Sequence, residues 1–219
     1  MQRKDDKVTL AMSKRRRTVL IVLCLFAFIL LVWLDNSLAR RRQLLRSISG
    51  EQTNLLDRTD YHGKKFVVKH VLDGDTIDVE VPDGRREYTR IRLLGIDTPE
   101  TGKEDSAAMH FASEAAAFTR RGTLGKSVTV YLDSPGPTRG KYGRLLAYVK
   151  LPDGRFLNEV LLTGGYAYAD LRFSHSFYNK YEQLGETARR QKKGLWQDVT
   201  HEQLPKWLQS KSPNLFSGK

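Results

Sequence analysis

"IRLLGIDTPE", residues 91–100, places an arginine inside an apolar run and closes on two carboxylates around a Thr-Pro turn. A guanidinium flanked by Leu93, Leu94 and Ile96 loses much of its water, which is costly unless an anion meets it. Reading outward, "KFVVKHVL" at 65–72 and "TIDVEV" at 76–81 are β-branched, partly alternating runs, and "REYTRIRLLGI" at 86–96 follows as a third. Pro82, Asp83 and Gly84 between the second and third supply turn chemistry. If Asp83 and Gly84 form a two-residue hairpin loop, Asp75 falls opposite Arg92. The start of the second strand then lies beside the end of the third, so Asp97 and Glu100 approach "DGDT" at 73–76.

Carboxylates so crowded need protons or a cation, because like charges raise each other's pKa. With oxygen donors and no His or Cys nearby, a hard ion fits, Ca²⁺ before Mg²⁺. The anion facing Arg92 is then most simply a phosphate. A structural ion pair between Arg92 and Asp75 at an ordinary strand exit accounts for the same residues.

The chain has 219 residues and a net charge of +12. Residues 1–50 hold 11 Lys/Arg against 3 Asp/Glu, so eight of those charges belong to the N-terminus and the remainder is only mildly basic. An apolar fraction of 40% excludes a disordered chain. The single cysteine, Cys24, excludes an intramolecular disulfide. Residues 18–34, "TVLIVLCLFAFILLVWL", are uncharged, show no polar face, and read as a membrane-spanning helix preceded by a basic segment at 1–17. Lys14 and Arg15 to Arg17 beside it orient the rest of the chain away from the cytoplasm. A signal peptide cleaved near Ala39, with secretion, and an organelle anchor are the alternatives. Residues 35–63 read as a juxtamembrane stalk, 64–197 as the folded domain, and 198–219 as a tail with one short helix and a frayed end. Residues 106–121 read as a helix capped by Asp105 or Ser106 and stopped at Gly122. "SPGPTRGKYG" at 134–143 reads as a surface loop ahead of Arg144. The five histidines show no metal spacing.

Taken in order, "DGDT" at Asp73, "RLLGIDTPE" at Arg92, "ASEAAAFTRR" at Ala112, "KYGRLLAYV" at Lys141, "LNEVLLTGGYA" at Leu157 and "QKKGLW" ending at Trp196 resemble the staphylococcal nuclease (thermonuclease) family over about residues 64–197. The resemblance implies an α+β fold, a five-stranded OB-fold barrel with three helices, here preceded by the single N-terminal helix. It implies a Ca²⁺-dependent, sugar-nonspecific phosphodiesterase acting on DNA and RNA. By position, Asp75 and Asp97 are similar to the metal carboxylates, with the Thr98 carbonyl as a further ligand and Asp73 as their acidic neighbour. Glu100 resembles the general base or water-orienting group, Arg92 and Arg144 the phosphate-gripping arginines, and Lys141 and Tyr142 the residues contacting a nucleotide's phosphate. Leu171 and Phe173 stand where the family has two aromatic hydroxyls, and Tyr166, Tyr168 and Tyr178 are near enough to substitute for them. No obligate protein partner is implied, and the catalytic domain is expected as a monomer. Some members of the family are inactive binding modules, but those lose the acids and arginines retained here.

Overall fold

The computed structural model describes residues 14–102, 107–134, 136–213 and 215, with side chains except at 14–22, 24, 27, 37–39 and 42–47. Alternating burial makes the strands. In β3 (Thr89–Leu93) Thr89, Ile91 and Leu93 turn inward while Arg90 and Arg92 turn out, and β5 (Ser127–Leu132) alternates in the same way. β1 (Lys64–Asp73), β2 (Thr76–Val79), β3, β6 (Leu145–Lys150) and β5 close in that order into a barrel, with β3 and β6 parallel and the other pairs antiparallel. Val68, Ile77, Val79, Ile91, Leu93, Val128, Val130, Leu145 and Val149 fill it with essentially no solvent contact. Each such side chain contributes about 1.5–3 kcal/mol by leaving water. Closure also removes the free edges that an open sheet of these strands would expose.

Outside the barrel, β4 (Ile96–Asp97) pairs with β7 (Tyr168–Ala169), and α2 (Ala112–Thr123), α3 (Leu157–Thr163) and α4 (Tyr178–Arg190) complete the five-stranded, three-helix OB fold. The β2–β3 hairpin differs from the sequence reading by one position. Asp83 and Arg86 exchange backbone hydrogen bonds of 3.0 and 3.1 Å, so Gly84 and Arg85 form the loop; the pairing shifts by one residue between that bridge and the strands, where Arg92 lies opposite Thr76 rather than Asp75. The helix read from 106 begins only at Ala112. Met109 N–H donates to the Glu100 carbonyl at 2.9 Å, closing a loop, and Phe111 at the helix start takes a left-handed φ of 67° while its ring packs 5.7 Å from Tyr166. The caps assigned to Asp105 and Ser106 lie outside the described residues.

The chain divides into two compact units, 1–51 and 52–219. The first unit holds most of α1 (Lys14–Tyr61). Among the described residues no helix is long and apolar enough to cross a membrane, and part of the 18–34 segment lies outside the described side chains. The last turns of α1 belong to the second unit, so the folded domain starts at 52 rather than 64. Tyr61 enters the core, and buried Asp57 receives Arg139 Nε at 2.9 Å and Nη2 at 2.7 Å and the Thr138 hydroxyl at 2.6 Å. Asn54 Oδ1 accepts from Thr138 N at 2.9 Å. The described part of the 134–143 loop is therefore fastened down, and Thr138 is 1% exposed. The segment after 197 is also packed: Leu204, Trp207, Leu208 and Leu215 join Tyr168, Ala188, Leu195, Trp196 and Val199 in a second apolar cluster, with α5 (Lys206–Lys211) laid over it.

Removing one partner of a buried ion pair strands the other. Asp57→Ala is expected to lower stability by about 3 kcal/mol, and Asp83→Ala, which leaves the Asp57 to Arg139 pair intact, by less. Urea denaturation of the two variants checks the order.

Candidate active site

The turn between β1 and β2 is built around close approach. A side chain at Gly74 would meet the Thr98 side chain at 2.8 Å, and the Gly74 carbonyl accepts the Thr119 hydroxyl of α2 at 2.6 Å. With nothing between them, Thr98 docks on the turn and gives Asp75 Oδ2 two hydrogen bonds, from its N–H at 2.8 Å and its hydroxyl at 3.0 Å. Thr76 adds a third, to Asp75 Oδ1 at 3.0 Å. Asp75 is fully buried, so these bonds fix its carboxylate.

Arg92 leaves the outer face of β3 and reaches both acids. Its Nη1 pairs with Asp75 Oδ1 and its Nη2 with Asp97 Oδ1. The one-residue register difference thus leaves the Arg92 to Asp75 contact in place, because the long arginine side chain spans it. Asp97 is 9% exposed and sits on β4, which β7 holds through Asp97 paired with Tyr168.

Glu100 follows the Thr-Pro turn. Although the residue is exposed at the surface, partial desolvation shifts its carboxyl upward, a hydrogen bond with Asp73 and the charge of Asp73 act in the same direction, and the charges of Arg92 and Arg144 pull it back. Those influences bring Asp73, Arg92, Glu100 and Arg144 into one electrostatic neighbourhood. Arg144 arrives there because β6 runs parallel beside β3, with Leu145 against Ile91 and Leu146 against Arg92. Its guanidinium lies 5.7 Å from the Tyr142 ring, and the Lys141 ammonium lies 5.7 Å from the same ring. Tyr142 is 69% exposed, an aromatic face between two cations at the mouth of the site.

The donor set suits a hard cation: two buried carboxylates aimed at a single positive group, with Thr98 backbone beside them and no sulfur or imidazole. Among the described residues, no cluster of three or more acidic, His or Cys side chains forms a metal cage. The candidate ligand set accordingly depends on backbone oxygen and solvent as well as on Asp75 and Asp97.

At the wall beyond β7, the three tyrosines each have contacts of their own. Tyr166 stacks on Phe118 at 4.2 Å, Tyr168 is buried, and the Tyr178 hydroxyl faces the Leu171 carbonyl at 3.4 Å. Phe173, 63% exposed with Arg172 5.7 Å from its ring, is the open aromatic there. Sequence reasoning missed two contributors to this region. Trp207 donates its indole N–H to Asp97 Oδ2 at 2.7 Å, and Arg172 lies 3.4 Å from the same oxygen. Arg172 had a local signal, the carboxylate of Asp170 two residues before it, whereas Trp207 had none.

Residues 90–198 match the family model described as staphylococcal nuclease homologue. The thermonuclease of Staphylococcus intermedius is 34% identical over 155 residues, covering 70% of this chain and 89% of that protein. The thermonuclease of Staphylococcus hyicus is 36% identical over 132 residues, 60% of this chain and 75% of that protein. An uncharacterized endonuclease of Escherichia coli O157:H7 is 36% identical over 155 residues, 68% of this chain and 84% of that protein.

Arg92→Ala removes the positive charge between two buried carboxylates and is expected to lower the stability of the cation-free protein by about 3 kcal/mol. Adding Asp75→Asn should recover part of that loss. Chemical denaturation in chelator reads both, and an unchanged midpoint in Arg92→Ala contradicts the pairing.

Proposed function

The chain belongs to the staphylococcal nuclease homologue family and is a nuclease that hydrolyses phosphodiester bonds; from that premise we propose that it is a Ca²⁺-dependent, sugar-nonspecific enzyme acting on DNA and RNA from a membrane tether. The observation that carries this reading is the guanidinium of Arg92 held across Asp75 and Asp97, with Glu100 close enough to feel its charge and that of Arg144.

Asp75, Asp97 and the Thr98 carbonyl would hold the cation, with Asp73 beside them. When bound, Ca²⁺ supplies Lewis-acid polarisation of the phosphate oxygens. Arg92 and Arg144 grip the scissile phosphate. A planar guanidinium donates two bonds and stays protonated, so it suits charge that builds on the transition-state oxygens. Arg92, paired with both carboxylates here, would turn its guanidinium to the phosphate oxygens of a bound substrate. Glu100 takes a proton from the attacking water. Lys141 and the exposed ring of Tyr142 hold the neighbouring nucleotide. Every contact in this scheme is to phosphate, sugar or a base face, so sequence preference is weak.

Two features support the tether. The described side chains between Leu23 and Leu34 are exposed all round the helix, Phe26 at 72% and Trp33 at 62% among them. The basic residues at 14–17 precede them, which orients the nuclease domain away from the cytoplasm.

Membranes carrying the full chain should degrade plasmid DNA and RNA with Ca²⁺ and stop in EGTA, and deleting residues 18–34 should move the activity to the supernatant. Arg92→Ala or Arg144→Ala is expected to slow turnover by about 100- to 1,000-fold, and Glu100→Gln by about 100-fold or more. Undiminished cleavage in EGTA retires the metal mechanism, and soluble activity from the full chain retires the tether.

A further inference from the structure

We propose that Trp207, on the C-terminal helix α5, is a positioning residue that holds Asp97 in the orientation needed to bind the cation. The inference rests on the Ca²⁺ site proposed above and concerns a residue beyond the segment shared with the family.

The two oxygens of Asp97 have different partners. Oδ1 faces Arg92, and Oδ2 accepts the Trp207 indole N–H at 2.7 Å. An indole nitrogen only donates, so this bond cannot reverse, and it fixes the rotation of the carboxylate about its Cβ–Cγ bond. Partners of this kind, behind a ligating group, set its direction and its affinity.

Trp207 is itself held from three sides. Leu204 and Leu208 pack with it in the second apolar cluster. The Arg172 guanidinium lies 4.6 Å over its ring, and Arg172 is fixed by two bonds to Asp170 of 2.7 and 2.8 Å. Lys211, at the end of α5, donates to the Leu171 carbonyl at 2.7 Å, tying the helix to the same wall. Asp170 in turn donates its N–H to the Gly95 carbonyl at 3.0 Å, next to the strand that carries Asp97. The C-terminal segment is thus linked to the Asp97 strand at both ends of a short circuit. A tail that merely covered apolar surface would not need its one indole N–H on a buried carboxylate.

Trp207→Phe keeps the ring and its packing and deletes only the donor. Calorimetric titration of the full chain in detergent with Ca²⁺ alone is expected to show about tenfold weaker binding for this variant. Leu208→Ala, which loosens the same cluster without touching Asp97, should lower the melting temperature and leave the Ca²⁺ affinity unchanged. In the unsubstituted protein the Trp207 indole N–H resonance should shift on Ca²⁺ saturation. Trp207→Phe binding Ca²⁺ as tightly as the unsubstituted chain, or more tightly, overturns the proposal, as does an indole resonance that does not move. If the unsubstituted chain takes up no Ca²⁺, the proposed metal site falls and this role falls with it.

Discussion

One guanidinium placed between two buried carboxylates governs this site. Burying such charges is costly, and the cost is bearable here because both oxygens of each carboxylate find partners. Asp75 draws on Thr76, Thr98 and Arg92, and Asp97 on Arg92, Trp207 and Arg172. The barrel supplies the geometry. β3 directs Arg92 outward by alternation, the Gly74 turn admits Thr98, and β4 brings Asp97 back against the same face. The arrangement gathers carboxylates and guanidinium groups at one face of the barrel, which is what the proposed binding of a divalent ion and a phosphate requires.

Two segments outside the barrel steady the two sides of this centre. The last turns of α1 grip Thr138 and Arg139 through Asn54 and Asp57, and that loop leads into Arg144. The C-terminal segment grips Asp97 through Trp207. The groups proposed to grip phosphate and to hold the metal are therefore each backed by a segment outside the barrel, so positional accuracy at the centre depends on residues outside it.

The barrel was legible because its strands carry a period: β-branched alternation at 65–72, 76–81 and 86–96 marks which side chains turn inward, and Pro82 to Gly84 marks the turn. The register was legible only to within one residue, since the loop falls at Gly84-Arg85 and the pairing then shifts by one before the strands, and neither shows in the residue pattern. The two-residue strands β4 and β7 are too short to show any period. Helix α2 starts late because of the Met109 to Glu100 closure and the left-handed Phe111, neither of which a capping pattern displays. Of the site, the acids and arginines stood out as charges in apolar surroundings, and the family resemblance assigned their roles. The Asp57 to Arg139 and Asp97 to Trp207 contacts join residues 82 and 110 positions apart, and no local pattern announces such partners.

The exchange of partners by Arg92 is the step on which the account turns. A crystal structure of the full chain with Ca²⁺ and a non-hydrolysable dinucleotide tests it directly. The account predicts the cation between Asp75 and Asp97, with the Arg92 fork moved onto the phosphate oxygens. Arg92 still clasping both carboxylates while the nucleotide binds elsewhere would contradict it.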